Sequence, residues 1–404
     1  MSVGDPPQHL AFMPTRCLVA SLGNLSLVWP PRGYCGSNSE VPEAYFSQLA
    51  CTTFRGGAYN SSASISRKDT DSKLFPNDKG KPEGPAADMY VLARLYLNND
   101  TALEDYPVAI AMGPAQSSLG NLAMMQMGVG ANSTLLHTLK DNGLIASRSW
   151  GLWWGRGLGM SPQIDGSLVL GGYDKARVVG DPLVADISPS PGCISGLSLP
   201  VADIVASYAG NTSSLLGSEA NRPPSRFCLE PYRPTIIRLA VDANLLALGR
   251  LLDNAGFNFT LTITFGPGLS VDFTADELVV PNVRLDRDNR EMITNSDEPV
   301  LLLVDALAQD SSMRLGAQFL TAAYLLVNHD ANKFYLWRVR SGAEELEAQA
   351  TAVDASNNEL PDVCGSELGA RRPPLPDRSV MVGCHVILAA ATTQTREIAY
   401  RSRL

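Results

Sequence analysis

Histidine is scarce in this chain, and the four present, His9, His137, His329 and His385, are scattered without metal-ligand spacing. They read as surface or satisfied imidazoles. No C-x-x-C pair occurs, which removes zinc ribbons and thioredoxin-type redox motifs. No G-x-S-x-G elbow occurs, so an α/β-hydrolase would have no nucleophile. The glycine stretches Gly128-Val-Gly130 and Gly155-Arg-Gly-Leu-Gly159 lack a following GK[ST] and read as turns. No apolar run reaches the ~18 residues of a membrane-spanning helix. The nearest, Val380 to Ala391, is too short and contains His385. Basic residues are outnumbered 32 to 41, and the net charge of −9 argues against a nucleic-acid partner, whose phosphates call for a basic face.

A chain of 404 residues exceeds one ordinary core, so two or more lobes are expected. At 45% hydrophobic and 18% charged it can bury those cores. Thirty-four Gly and 27 Pro favour a β-rich chain with many turns. Strict alternation in Phe259-Thr-Leu-Thr-Ile-Thr-Phe265 predicts a half-buried strand. Met89–Leu97 and Val108–Met112 read as strands of one sheet, and Leu18–Trp29 as strand-like. Residues 60–88 read as a polar loop. Tyr324–Asn328 and Phe334–Val339 read as a terminal hairpin. Two helices are expected. One runs from Ser133 to Asp141, with Asn132 as N-cap and Gly143 just past its end. The other spans Asp242–Gly256, with Leu245, Leu248 and Leu252 on one face. From Ser341 onward no period survives, and a disordered tail is expected.

Six N-x-S/T sequons, at Asn24, Asn60, Asn99, Asn132, Asn211 and Asn258, together with seven Cys, favour a secreted, cell-surface or vacuolar/lumenal chain. No signal peptide precedes Val3, so the expectation is a gene model truncated at its front. Membrane anchoring is not expected from this chain.

Three segments carry a resemblance: Val3-Gly4-Asp5-Pro6-Pro7-Gln8, Asp165-Gly-Ser-Leu-Val-Leu-Gly-Gly-Tyr-Asp174, and Leu315-Gly-Ala-Gln-Phe-Leu320 with Ala323–Asn328. Together they resemble the pepsin-like aspartic peptidases, in particular a fungal branch. The resemblance implies an all-β, bilobal fold over residues 1–340, with lobes at 1–175 and 176–340 and a tail at 341–404. Cys35 and Cys51 bracket a polar loop and are expected to pair, and Cys193 and Cys228, which flank the Asn211 loop with a spacing similar to that of the fungal branch, are expected to form a second disulfide. A monomer without cofactor or metal is expected.

The chemistry of that family rests on two carboxylates sharing one proton, one activating water while the other protonates the carbonyl. Both stand in Asp-Thr-Gly or Asp-Ser-Gly tripeptides, and neither tripeptide occurs here. Seven residues after Gln8, where the family has its first aspartate, stands Thr15, followed by Arg16 and Cys17. The counterpart of the second, after Cys228-Leu229, is Glu230, followed by Pro231 and Tyr232. A Thr hydroxyl does not ionise at working pH. Pro231 has no N–H to offer, and Tyr232 crowds a position that is glycine in the family. The expectation is a catalytically inactive member whose interlobe cleft binds peptide or cell-wall polysaccharide. The alternative is an active aspartic-type endopeptidase working at acidic pH.

Two further features each admit two readings. Trp150, Trp153 and Trp154, with Arg148 and Arg156, form either a stacking wall for a ligand or the packing of a hairpin, the second being favoured. Arg371-Arg-Pro-Pro-Leu-Pro376 resembles a polyproline ligand, with a plain linker favoured.

Overall fold

The computed structural model describes residues 1–10, 12–15, 26–28, 57–70, 87–98, 101–111, 125–156, 164–208, 210–216, 224–231, 237–240, 259–266, 268–285, 292–301, 304–307, 313–340, 346–360 and 386–390. The fold is all-β among these residues, and the chain divides into two compact units. One is built on residues 1–145 and the other on 146–283 with 294–390. Residues 146–175 therefore pack with the second unit, because their strands share a sheet with the hairpin near residue 330.

The first unit is an eight-stranded sheet. Its strands are β1 (Ser2–Val3), β2 (Gln8–His9), β3 (Phe12–Thr15), β4 (Ser26–Val28), β5 (Lys68–Asp69), β6 (Ala87–Tyr96), β7 (Ala102–Ala111) and β8 (Met125–Gly128). They lie in the order β2-β1-β6-β7-β4-β8-β3, with β5 beside β6. Helix α1 (Thr134–Asp141) follows and buries Leu135, Leu136 and Leu139. Its N-cap is Ser133, whose hydroxyl accepts from the Leu136 N–H at 3.1 Å. The expected cap, Asn132, lies one residue outside and is exposed. Both residue types can cap, so the sequence pattern alone left the register one residue early. Asn142 and Gly143 (φ +68°) end the helix.

The second unit holds a six-stranded sheet in the order β12-β24-β23-β9-β10-β26. These strands are β9 (Ser149–Arg156), β10 (Ile164–Leu170), β12 (Val178–Asp186), β23 (Ala323–Asn328), β24 (Lys333–Val339) and β26 (Val386–Ala390). β23 is buried at every residue and β9 at nearly every one, so both read as apolar runs without alternation. In the hairpin between β23 and β24, the Asn328 side chain accepts from the N–H groups of Asp330 and Ala331, each at 3.1 Å. Beside this sheet β11 (Gly172–Asp174) pairs with β25 (Ala350–Ala352). The expected disordered tail from residue 341 thus contains ordered structure at 346–360. Its ordering energy comes from tertiary pairing, which no local sequence period reports.

The same unit carries a second eight-stranded sheet, ordered β18-β17-β13-β15-β22-β16-β21 with β14 beside β13. Its strands are β13 (Ser198–Tyr208), β14 (Asn211–Ser214), β15 (Ser225–Leu229), β16 (Ile237–Ala240), β17 (Thr260–Phe265), β18 (Leu269–Thr274), β21 (Val304–Leu307) and β22 (Arg314–Leu315). As the alternation predicted, Leu261, Ile263 and Phe265 are buried while the threonines of β17 are half-buried. β19 (Val279–Leu285) and β20 (Met292–Leu301) pair with each other. The expected helix at 242–256 lies outside the described residues.

Each unit contains the same four-strand arrangement. In the first, β3 pairs parallel with β8, β8 antiparallel with β4, and β4 parallel with β7. In the second, β15 pairs parallel with β22, β22 antiparallel with β16, and β16 parallel with β21. Numbered along the chain, both read 1-4-2-3 across the sheet. The chain therefore holds an internal topological repeat.

Candidate functional site

The repeat gives Thr15 and Glu230 equivalent positions, each within its own unit. Thr15 ends β3 and pairs with Gly128, the last residue of β8. Glu230 follows β15 directly, one residue past the Leu229–Leu315 pair, where the next residue after the partner strand is Gly316. The Glu230 N–H donates to the Leu315 carbonyl at 2.8 Å, continuing the ladder by one step. The residues matched from sequence to the two family aspartates thus stand at equivalent ends of parallel strand pairs, each opposite a glycine.

The surroundings of Glu230 are fixed from several sides. Glu230 is 3% exposed, and its carboxyl group forms an ion pair with the Arg314 guanidinium through Oε1 and Nη1. Arg314 lies on β22, the strand against which β15 runs parallel. Two residues before Glu230, Cys228 is disulfide-bonded to Cys193, so the turn Ser190–Gly196 is tied to β15. The Ser195 hydroxyl donates to the Leu229 carbonyl at 3.1 Å. Pro231 is buried. A buried carboxylate beside a guanidinium is a charge-compensated pair.

In the first unit, a chain of hydroxyls braces the strands around Gly128. Tyr106 on β7 bonds Ser26 of β4 at 2.9 Å and Thr134 of α1 at 3.2 Å. Burial pushes the Tyr106 phenol above its ordinary pKa. Ser133 donates to the Gly128 carbonyl at 2.5 Å while its oxygen caps α1. Sequence reading did not single out these residues. The only available signal was a Ser-Thr pair at the start of a helix.

Two of the three tryptophans, Trp150 and Trp153, are core residues, while Trp154 is half-buried. Trp150 and Trp153 are 1% and 2% exposed, which rules them out as a ligand wall. Trp153 donates from its ring N–H to the Thr321 carbonyl at 2.8 Å, and the Arg177 guanidinium lies 4.6 Å from its ring centre. Arg148 is engaged with Asp330 at 2.7 Å. Tyr173 stacks on Trp337 at 5.4 Å, and Trp337 on Tyr335 at 5.9 Å.

Of the expected glycosylation positions, Asn60, Asn132 and Asn211 are exposed. Asn60 also caps a short 3₁₀ turn, accepting from the Ser62 N–H at 3.2 Å. Asn24, Asn99 and Asn258 lie outside the described residues, as do Cys17, Cys35, Cys51, Cys364, Cys384 and the Arg371–Pro376 stretch. Of the two expected disulfides, Cys193–Cys228 is present with both sulfurs buried.

The chain matches no protein-family model and no curated protein.

Proposed function

We propose that this chain is a catalytically inactive, pepsin-like protein of the secretory pathway or cell surface that binds a peptide or a cell-wall polysaccharide. The observation that carries the reading is the equivalence of Thr15 and Glu230 within the internal repeat, with Glu230 paired to Arg314. A two-carboxylate peptidase needs an ionisable acid at both positions, and Thr at one of them cannot exchange a proton with Glu at the other. The repeat itself supports the bilobal half of the reading, since a gene-doubled β-architecture is what the resemblance implies. The disulfide and the exposed sequons support an oxidising compartment.

The test is incubation of the purified chain with an unfolded protein between pH 3 and 6, with and without a pepstatin-like inhibitor. No cleavage is expected. A melting-temperature screen against peptides and cell-wall polysaccharides should then return a ligand that raises Tm. Inhibitor-sensitive cleavage that Glu230→Gln abolishes would establish the active-endopeptidase reading instead.

A further inference from the structure

Residues 346–360 are held by their main chain. Ala350, Thr351 and Ala352 pair antiparallel with Asp174, Tyr173 and Gly172. The ladder continues at both ends, where the Lys175 N–H donates to the Gln349 carbonyl at 2.8 Å and the Val353 N–H to the Gly171 carbonyl at 3.1 Å. Four side chains from separate parts of the second unit then address peptide groups of the same segment. The Asp174 carboxylate accepts from the Gln349 N–H at 2.9 Å. Arg177 donates to the Leu346 carbonyl at 3.0 Å, Ser147 to that of Val353 at 2.7 Å, and Asn328 to that of Asp354 at 2.9 Å.

The segment's own side chains contribute at a few points. Ala350 and Ala352 face inward, 8% and 3% exposed, with Thr351 half-buried between them. Val353, at 1%, enters an apolar cluster with Trp153, Tyr173, Tyr324 and Trp337. Glu359 accepts from the Tyr173 hydroxyl and from Lys175. At Gly172 the approach is so close that an added Cβ would stand 2.0 Å from the Thr351 carbonyl oxygen. Backbone capture by a strand edge, with pockets for alternate side chains, is how an extended peptide is bound by strand addition.

We propose that the β11 edge, with Ser147, Arg177 and Asn328, is a strand-accepting peptide site, and that residues 346–360 fill it as a ligand built into the chain. Its ligand class is an extended peptide with small residues at two alternate positions, a β-branched apolar residue next, and a carboxylate six positions further on. The site is independent of the Glu230 region and of the reading given to it.

The experiment uses the full chain and a fluorescently labelled synthetic peptide of residues 346–360, followed by anisotropy. Val353→Asp in the chain weakens the built-in ligand and leaves the sequence of β11 unchanged. The V353D chain should bind the peptide saturably, at least tenfold more tightly than wild type does. Adding Gly172→Ala to V353D, or placing V353D in the peptide, should abolish binding. A V353D chain that keeps a cooperative thermal transition and takes up no peptide overturns the proposal. Should V353D not fold, hydrogen exchange on the wild-type chain decides. The Val353 amide should exchange at least tenfold faster than the β23 amides after correction for intrinsic rates. Equal protection would show that the segment never leaves without global unfolding, and would also overturn the proposal.

Discussion

Thr15 ends, and Glu230 directly follows, the first strand of the same four-strand arrangement, one copy in each half of the chain, and each stands opposite a glycine, Gly128 and Gly316 respectively. The second copy carries an acidic residue where the first carries Thr15, and Arg314 on the fourth strand pairs with it. Removing one partner of a buried pair strands the other charge. Arg314→Met should therefore cost about 2–4 kcal/mol, below the upper range for such pairs because the Arg314 side chain is 19% exposed. The double variant Glu230→Met/Arg314→Met should recover most of the loss. Urea denaturation of the four proteins checks this, and a fully additive cycle would refute the coupling.

The disulfide between Cys193 and Cys228 closes a 35-residue segment and secures the strand that leads into Glu230. Chain-entropy arguments assign about 3–4 kcal/mol to a loop of that size. Replacing both cysteines by alanine should lower stability by that amount, read from the denaturation midpoint at unchanged m-value. A loss under about 1 kcal/mol would mean that native-state strain offsets the entropic gain.

Much of the second unit was legible from sequence, because strands such as Thr260–Phe265 state their buried face by strict alternation and the Tyr324–Val339 hairpin is a pair of apolar runs around a polar turn. The internal repeat was not legible. Its copies share a hydrogen-bond order, while Phe12-Met-Pro-Thr15 and Phe227-Cys-Leu-Glu230 share only the phenylalanine in register. Topology can be conserved by pairing alone, which side-chain identity need not record. Arg314 was illegible for a related reason: it reaches Glu230 across 84 positions of chain. The strand at 350–352 was hidden because Ala-Thr-Ala has little intrinsic β signal, and its order comes from the edge it meets.

Gly151 on β9 lies under the Tyr324 hydroxyl, which accepts from the Asp174 N–H at 2.7 Å. A Cβ added there would stand 2.5 Å from that hydroxyl oxygen, 2.8 Å from the Gly172 carbonyl and 2.9 Å from the Tyr173 Cα. Two of the three neighbours are backbone, so relaxation must move β11 itself. Gly151→Ala should destabilise by about 1–3 kcal/mol, in the range of overpacked cores. Gly143→Ala meets no neighbour within 4 Å, so its cost should be confined to the left-handed backbone at φ +68°. Thermal melts of the two variants separate crowding from backbone strain.

Asn60, Asn132 and Asn211 are exposed, so glycans at these sites would meet no packing obstacle. A chain expressed with a secretion leader in a eukaryotic host should run heavier than its sequence mass and shift down on endoglycosidase treatment. Each Asn→Gln variant should remove one step of that shift. A secreted, disulfide-bonded product with no shift would separate the compartment from the modification.

The segment at 346–360 should loosen in acid, and the sign follows from its carboxylates. Hydrogen bonds from Lys175 and Tyr173 hold Glu359 below the usual carboxylate range, and donors from Asn358, Ser356 and Asn357 do the same for Asp354. A group whose pKa is depressed by folding stabilises the folded form above its unfolded value, ~4 for these acids, and loses that contribution as pH falls through the lower folded value. The groups facing Glu359 are Lys175 and Tyr173, whose phenol is pushed upward by burial and does not titrate in this window. Val353 amide exchange, corrected for intrinsic rates, should accelerate below about pH 4 in the wild type. In Glu359→Gln it should be faster at neutral pH and respond less to acid. Identical pH profiles for the two proteins would place the acid response elsewhere.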